Sequence, residues 1–327
     1  MSQRILRIKN LSVEFRSYDQ PVPAVTDFSM DVFAGETVGL VGESGCGKST
    51  AALAIMGLLD PDNSRIKSGS IFLGDLDLTK LSRKELRKIR GRDIAMIFQE
   101  PMTSLNPVYT VGRQLTEGII LHQGLSKEKA AELAALMLKK VNIPSPQAML
   151  RRYPFELSGG MRQRVMIAMA LSCTPHLLIA DEPTTALDVT VQAQILNLMN
   201  SLKESMKMAI ILITHDLGVV AEMCKYVYVM YSGQIVETSG IDELLSNPLH
   251  PYTQGLLNSM PEKYSGREKL YCIPGTVPFP GSVIRGCRFA ERCPYKTQNC
   301  LVEEPPLIRL DEHTSVRCFR YQGNERE

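Results

Sequence analysis

Residues 42–49 read GESGCGKS, and this complete G-x-x-x-x-G-K-S loop constrains the fold of the 327-residue chain more than any other stretch. An apolar, β-branched run at 37–41 precedes the loop, and helix-forming residues follow it at 50–56. A glycine loop between a strand and a helix lets backbone N–H groups surround phosphate oxygens at the positive end of the helix. The sequence therefore predicts a nucleotide-phosphate site in an α/β fold.

The residues of this loop divide the work of binding a nucleotide and its magnesium ion. Lys48 is expected to reach the β- and γ-phosphates, and the Ser49 hydroxyl is expected to bind Mg²⁺. The loop residues that we expect to contact the nucleotide are Gly42, Ser44, Gly45, Cys46, Gly47, Lys48, Ser49 and Thr50.

Polar residues follow three further predicted strands. Gln99, Asp181 and His215 each come directly after an apolar run that is typical of a buried parallel strand. Because the carboxyl ends of parallel strands share one edge of a sheet, we expect these side chains to meet the phosphate loop. Asp181 has the position of a carboxylate that completes Mg²⁺ coordination, and Glu182 that of a base that polarises the attacking water.

Composition excludes several classes of protein. The chain is 44% hydrophobic and 22% charged, which is ordinary for a globular protein, and its net charge of +2 gives no electrostatic reason to bind nucleic acid. It has no apolar stretch of the roughly 18 residues that a membrane span requires, and no apolar signal segment at its N-terminus. We therefore expect the chain to stay on the side of the membrane where it is made and to meet a membrane only through partners.

The order of patterns along the chain predicts its organisation. Strands that alternate with helices predict a parallel sheet covered on both faces, and one-sided alternation at 5–15 and 28–32 predicts an antiparallel edge. An all-helical insertion is expected at about 101–165. The composition changes after about residue 240, so we expect a nucleotide-binding domain at 1–240 and a C-terminal extension at 241–327.

Taken together, these motifs resemble the ATP-binding subunits of ABC transporters. The LSGG element, which opens the segment LSGGMRQ, is specific to that superfamily among P-loop proteins. Met161 stands where the commonest family sequence has Gln; we expect no loss of binding, because the phosphate contacts come from the residues before it. The motifs that carry the resemblance are the loop at 42–49, Gln99, the segment at 157–163, Asp181 and Glu182, the segment ALD at 186–188, and His215.

The resemblance implies roles that the residues alone do not establish. Ser158 and Gly160 would bind the γ-phosphate of ATP held by a second ATPase subunit, whether a paralogue or a second copy. Gln99 would sense Mg²⁺ and the transporter, and His215 would orient the γ-phosphate. Phe15 matches the position of the aromatic residue that stacks on adenine.

The resemblance also implies a fold. It is an α/β P-loop NTPase core of the ABC ATPase type, with an antiparallel β edge, an all-helical subdomain and a small Cys-rich C-terminal extension.

Two further residue roles follow from the resemblance. Asp188 would lie at the interface between two such subunits. Tyr18 is the alternative aromatic partner for adenine.

Segments of the extension narrow the resemblance to the ATPase subunits of dipeptide, oligopeptide and nickel importers. These segments are NPLHPYT at 247–253 and IPGTVP at 273–278, followed by four cysteines. The resemblance implies an ATPase at the cytoplasmic face of the cell membrane that powers peptide import. Its partners would be two transmembrane permease subunits and, indirectly, an extracytoplasmic substrate-binding protein. Nickel import and a soluble ABC ATPase outside transport remain alternatives.

Four cysteines within 32 residues of the extension predict a metal site. A cytosolic chain is not expected to use them in disulfides. Zinc ribbons favour short C-x₂₋₄-C pairs, which are absent, whereas an iron–sulfur cluster tolerates irregular spacing. We therefore predict a [4Fe–4S] cluster and keep Zn²⁺, or no metal, as alternatives. The four residues are Cys287, Cys293, Cys300 and Cys318. Basic residues expected to offset the charge of the cluster are Arg285, Arg288, Arg292 and Arg317.

Overall fold

The computed structural model describes most of the chain in two compact units. Among the described residues, no helix has the length and apolar character needed to cross a membrane. The described residues are 3–17, 20–99, 104–185, 187–260, 271–278, 282 and 284–323. The first unit comprises Met1–Ile5, Val32–Glu36 and Leu78–Ile213. The second unit comprises Leu6–Asp31, Thr37–Asp77 and Thr214–Glu327.

Strands and helices alternate through the middle of the chain, as the sequence predicts. The strands are β1 (Arg4–Phe15), β2 (Val22–Phe33), β3 (Thr37–Val41), β4 (Ser64–Leu73), β5 (Leu76–Asp77), β6 (Ile94–Ile97), β7 (Leu177–Asp181), β8 (Ala209–Thr214), β9 (Tyr226–Tyr231), β10 (Gln234–Gly240), β11 (Ile308–Arg309) and β12 (Ser315–Val316). The α-helices are α1 (Lys48–Ile55), α2 (Arg83–Ile89), α3 (Val111–Gln123), α4 (Lys127–Lys140), α5 (Pro146–Met149), α6 (Gly159–Leu171), α7 (Val189–Met206), α8 (Leu217–Met223), α9 (Ile241–Ser246), α10 (Pro251–Asn258) and α11 (Gln298–Val302).

The first unit contains parallel strands in the order β8-β7-β6 and the helices of the predicted insertion. All residues of these three strands are buried, which explains why they are apolar without alternation. Ile94 pairs with Leu177, and Leu177 pairs with Ala209, so the carboxyl ends of the strands lie at one edge. Helices α3, α4 and α6 pack on one another, and α3 buries Val111, Leu115 and Ile119.

The second unit contains the antiparallel sheet β2-β1-β4-β5 and the strand order β11-β12-β10-β9-β3. Strand β3 is parallel to β9, and β9 and β10 form a hairpin across Ser232 and Gly233. Strand β12 pairs with β10, with Glu237 opposite Val316. Residues after 240 therefore add two strands to the β9–β10 hairpin. The boundary at about residue 240 stays a prediction. It rests on a change of composition, and residues on both sides of it lie in the second unit.

Helix ends follow the capping residues that the sequence supplies. The basic helix α2 begins after Ser82, whose hydroxyl accepts the N–H of Glu85 while the Glu85 carboxylate accepts the N–H of Ser82. Helix α7 begins at Val189, because Asp188 is its N-cap and accepts the N–H of Val191.

Candidate nucleotide site

The phosphate loop lies in the second unit, between β3 and α1. Two of its glycines have backbone conformations that exclude a side chain. Gly42 has φ +157°, and a Cβ there would lie 2.2 Å from the carbonyl oxygen of Met230. Gly47 has φ +107°, and a Cβ there would lie 2.6 Å from the carbonyl oxygen of Ala24. The loop can take this path only with glycine at both positions.

Lys48 is buried against the loop that precedes it. Its Nζ donates to the carbonyl oxygen of Gly42 at 2.7 Å and to that of Glu43 at 3.0 Å. Ser49, at the start of α1, is exposed, so its hydroxyl is accessible to a metal ion. Cys46 is buried, and its burial raises the pKa of the thiol. Its Sγ lies 3.8 Å from Lys48 Nζ, so the thiol packs inside the loop.

The remaining loop residues differ in accessibility. Ser44 and Gly45 are exposed at the tip of the loop, whereas Thr50 is half-buried in the first turn of α1. A nucleotide can reach the backbone N–H groups of the two exposed residues without any rearrangement of the helix.

The structure brings Gln99 and Glu182 together in the first unit. Gln99 Nε2 donates to Glu182 Oε2 at 2.9 Å, and Thr185 Oγ1 donates to the same oxygen at 2.9 Å. Gln99 follows β6 and Glu182 follows β7, which are adjacent parallel strands. The expectation that Gln99, Asp181 and His215 meet at the phosphate loop stays a prediction; the structure places Gln99 against Glu182, the residue that follows Asp181. Asp181, the last residue of β7, is 4% exposed.

Glu182 has an unusual backbone conformation, with φ +46°. Its N–H donates to the carbonyl oxygen of Ile213 at 2.8 Å, which holds the backbone in place. A left-handed conformation at a residue with a side chain is strained and is often found at functional sites. The turn lets Asp181 end the strand while the Glu182 carboxylate meets Gln99.

The LSGG element forms the start of α6 in the first unit. Ser158 is the N-cap, and its Oγ accepts the N–H of Met161 at 3.4 Å. Ser158 and Gly159 are exposed, and Gly160 is half-buried. Added to Gly160, a Cβ would lie 3.2 Å from Val191 on α7. This segment therefore presents the N-terminus of a 13-residue helix at the surface of the unit.

Two other predicted site residues belong to the second unit. His215 follows β8 and precedes Asp216, which caps α8 by accepting the N–H of Gly218 at 2.8 Å. Phe15 is the last residue of β1 and is 37% exposed. Tyr18, the alternative aromatic partner, lies outside the described residues. The nucleotide contacts of His215 and Phe15 stay predictions.

All eight cysteines are free, and four of them line one cavity in the extension. Its volume is about 240 Å³, and its walls include Cys287, Cys293, Cys300 and Cys318. Burial raises the pKa of Cys287 to about 11 and raises those of Cys293 and Cys318. Within the described part of the chain, however, no three or more His, Cys, Asp or Glu residues are arranged to hold a metal ion. The predicted metal site is therefore not supported by this arrangement.

The arginines expected to balance a cluster are engaged elsewhere. Arg317 Nη2 donates to Asp27 at 3.2 Å, and Arg288 donates to the carbonyl oxygen of Ser232. Arg292 forms two hydrogen bonds with Glu43 in the phosphate loop. These buried guanidinium groups therefore pair with nearby carboxylates and carbonyls, and their role in balancing the charge of a cluster stays a prediction.

Two further residues at the phosphate loop were not predicted. Arg292 stood out in the sequence only as a basic neighbour of Cys293. Tyr252 lies in the segment NPLHPYT, whose pattern gave a resemblance but no contact. No short-range signal could have identified either residue, because 249 positions separate Arg292 from Glu43.

Three features together define an ABC-type ATPase. They are the phosphate loop after the buried strand β3, the hydrogen bond from Gln99 to Glu182, and the LSGG element at the start of α6. Sequence comparison agrees. The ABC transporter family matches residues 25–185, and the family described as the oligopeptide/dipeptide transporter C-terminal region matches residues 236–300. The chain belongs to the ATP-binding subunits of ABC transporters, in the oligopeptide/dipeptide group.

Curated relatives match the chain from end to end. The oligopeptide transport ATP-binding protein AppD of Bacillus subtilis (strain 168) is 50% identical over 318 residues, which cover 97% of each chain. The dipeptide transport ATP-binding protein DppD of Escherichia coli (strain K12) is 49% identical over 314 residues, which cover 96% of each chain. A dimeric ATP-binding cassette in a post-hydrolysis state with ADP and Pi is 27% identical, with a TM-score of 0.65, over 72% of this chain and 98% of that one.

Proposed function

We propose that this ATPase powers the import of dipeptides or oligopeptides through two separate membrane permease subunits. It would act at the cytoplasmic face of the cell membrane and serve an extracytoplasmic substrate-binding protein indirectly. One observation carries the substrate class: the match of residues 236–300 to the oligopeptide/dipeptide transporter C-terminal region. The names of the curated relatives, which are transport or import ATP-binding proteins for peptides, support the same conclusion.

The proposed nucleotide chemistry assigns one task to each residue. Lys48 would hold the β- and γ-phosphates, and Ser49 and Asp181 would supply oxygen ligands to Mg²⁺, whose charge would offset that of the phosphates. Glu182 takes a proton from the attacking water. Gln99 fits the role of a sensor of the metal because its amide already contacts Glu182.

A second subunit would complete the site. Ser158 and Gly160 would bind the γ-phosphate of ATP held by a facing ATPase, which is either a paralogue or a second copy of this chain. The exposed helix N-terminus at Ser158 supports this role, since its N–H groups are suited to phosphate. His215 would orient the same phosphate, and Phe15 would stack on adenine.

The domain proposal keeps the predicted boundary. Residues 1–240 form the ATP-binding domain, with a helical subdomain at about 101–165, and residues 241–327 form the extension. The second family match supports this boundary, because it begins at residue 236, whereas the first match ends at residue 185.

For the extension we propose a [4Fe–4S] cluster at Cys287, Cys293, Cys300 and Cys318, with Zn²⁺ as the alternative. Four thiols around one cavity are the support. The preference for the cluster over Zn²⁺ rests on the irregular spacing of the four cysteines, since zinc ribbons favour short C-x₂₋₄-C pairs. Iron and sulfide analysis of anaerobically purified protein tests this. About four irons and four sulfides per chain would support the cluster, and one zinc would support the alternative. Absence of iron and zinc would refute both.

The transport proposal is tested in proteoliposomes that contain the chain with its permease and binding-protein partners. We expect ATP-dependent accumulation of labelled dipeptide or hexapeptide and none of ⁶³Ni²⁺. The Glu182→Gln variant should abolish accumulation, and Glu204→Gln, which changes an exposed carboxylate on α7, should not. Accumulation of nickel without peptide would overturn the substrate class.

A further inference from the structure

The extension holds the phosphate loop by a paired hydrogen bond. Arg292 Nη1 donates to Glu43 Oε2 at 2.7 Å, and Arg292 Nη2 donates to Glu43 Oε1 at 3.0 Å. The Arg292 side chain is 4% exposed and that of Glu43 is 28% exposed. Paired hydrogen bonds between guanidinium and carboxylate fix the orientation as well as the distance of both groups. Glu43 is the second residue of the GESGCGKS loop, so this bond acts directly on the loop.

A second residue of the extension holds the backbone at the same position. The N–H of Glu43 donates to Tyr252 Oη at 2.8 Å. The ring of Tyr252 is fully buried, with centroids 4.6 Å from Tyr231 and 5.5 Å from Phe289. An aromatic ring packed on two others has little freedom to move. The side chain and the backbone of Glu43 are therefore both fixed from the extension.

Glu43 in turn contacts the lysine that binds phosphate. Its carbonyl oxygen accepts from Lys48 Nζ at 3.0 Å, and it also accepts the N–H of Cys46 at 3.3 Å. Arg292 is anchored on its other side, because its Nε donates to the carbonyl oxygen of Pro274 at 3.0 Å. A continuous chain of hydrogen bonds thus joins the extension to Lys48.

We propose that Arg292 is a positioning residue for the phosphates of the nucleotide, acting through Glu43 on the phosphate loop and Lys48. A cradle of N–H groups binds phosphate tightly only when its backbone is already in the binding conformation. The extension is then a structural part of the nucleotide site. This inference rests on the proposed use of the phosphate loop for ATP and is independent of the transported substrate.

The test compares variants of the full-length chain by calorimetric titration with Mg²⁺-ADP and by KM and kcat for ATP. Loss of the charged pair in Arg292→Met should raise the Kd at least about tenfold. Arg292→Lys keeps the charge but not the paired geometry, so its Kd should lie between those of the wild type and Arg292→Met. Glu43→Gln should act like Arg292→Met, and the double variant should bind no more weakly than the single ones.

The matched control is Arg317→Met. Arg317 is equally buried in the same extension, but it pairs with Asp27 and Glu304 and not with the phosphate loop. This variant should lower the Tm while leaving the Kd for Mg²⁺-ADP at the wild-type value. If Arg292→Met does not fold, Arg292→Lys and Glu43→Gln decide the question in the same way.

Three results would overturn the proposal. The first is a wild-type Kd in folded Arg292→Met, and the second is an equal rise in Kd in Arg317→Met. The third is a double variant, Arg292→Met with Glu43→Gln, in which the losses of binding free energy add. If the wild-type chain itself fails to bind Mg²⁺-ADP, the nucleotide site is refuted. If the wild-type chain binds and Arg292→Met binds equally well, only the positioning role is refuted.

Discussion

Glu182 combines a strained backbone with a shared carboxylate oxygen. Its φ of +46° is maintained by the hydrogen bond to Ile213, and its Oε2 accepts from both Gln99 and Thr185. Two neutral donors on one oxygen fix the orientation of the carboxylate. This is a suitable arrangement for a base that removes a proton from water.

Replacing Glu182 with Gln should keep Mg²⁺-ATP binding and lower turnover by about 10²-fold or more, because only the base is lost. Phosphate release measures turnover, and titration measures binding. Glu204→Gln is the control, since it makes the same chemical change at an exposed position of α7. Turnover at the wild-type rate in Glu182→Gln would remove the residue from this role.

His250 makes the stability of the extension depend on pH. Its ring is 2% exposed, and its Nδ1 accepts the N–H of Tyr252 at 3.0 Å, which requires an unprotonated nitrogen. Burial lowers the pKa of His250 from 6.5 to about 3. The unfolded chain therefore binds a proton that the folded chain does not. The stabilisation is fully present above pH 6.5 and is lost as the pH falls from 6.5 toward 3.

At pH 5 the loss should amount to about 2 kcal/mol relative to neutral pH. In His250→Asn the side-chain oxygen can still cap α10, and this part of the pH dependence should disappear. Urea unfolding at pH 7 and pH 5 measures the free energy of unfolding of the wild type and of His250→Asn. Burial also raises the pKa of Glu237, which adds a pH dependence of its own in both proteins. The difference between wild type and variant therefore reports the histidine alone. The same loss at pH 5 in wild type and variant would contradict the prediction.

At the scale of elements, the phosphate loop needs glycine for two separable reasons. Gly47 combines φ +107° with a contact in which a Cβ would meet the carbonyl oxygen of Ala24 at 2.6 Å. Gly45 has φ +78° with open space around it. Backbone strain affects both positions, and a clash affects only Gly47.

Gly45→Ala should therefore destabilise the chain by about 1–2 kcal/mol through strain alone. Gly47→Ala should cost more, because the loop must move away from β2, and it should also weaken Mg²⁺-ADP binding. Thermal unfolding without nucleotide and titration with Mg²⁺-ADP separate the two effects. Equal losses of stability in the two variants would show that the contact with Ala24 has no consequence.

Helix and strand identity was predictable where local rules act alone. The apolar runs before Gln99, Asp181 and His215 form β6, β7 and β8, as the sequence predicts, and Ser82 and Ser126 are N-caps, a role that the local sequence favours. The strained turn at Glu182 was not predictable. A left-handed conformation at a glutamate arises only because neighbouring strands supply the Ile213 carbonyl and the Gln99 amide.

At the scale of the whole molecule, the proposed site needs a second subunit. Ser158 stands at an exposed helix start, and Asp188 stands exposed at the start of α7. A helix N-terminus that faces solvent is available to a phosphate held by another chain.

Specific ATPase activity should therefore rise steeply with protein concentration, or on addition of the partner ATPase. Ser158→Arg should abolish the rise and leave Mg²⁺-ADP binding to the phosphate loop unchanged. Dilution series with coupled phosphate detection measure the effect, and Ser201→Arg on α7 serves as the control. A specific activity that stays constant on dilution far below micromolar would contradict a shared site.

The sequence by itself determined the class of fold, the phosphate loop and the polar residues that follow its buried strands. Each of these depends on residues that are close in the chain: a strand, a glycine loop and a helix start, or a strand and the two residues after it. Only the tertiary structure decided what the extension does. Strand β12 joins β10, and Arg292 and Tyr252 hold Glu43. Contacts between residues some 200 or more positions apart depend on packing, which no local pattern specifies.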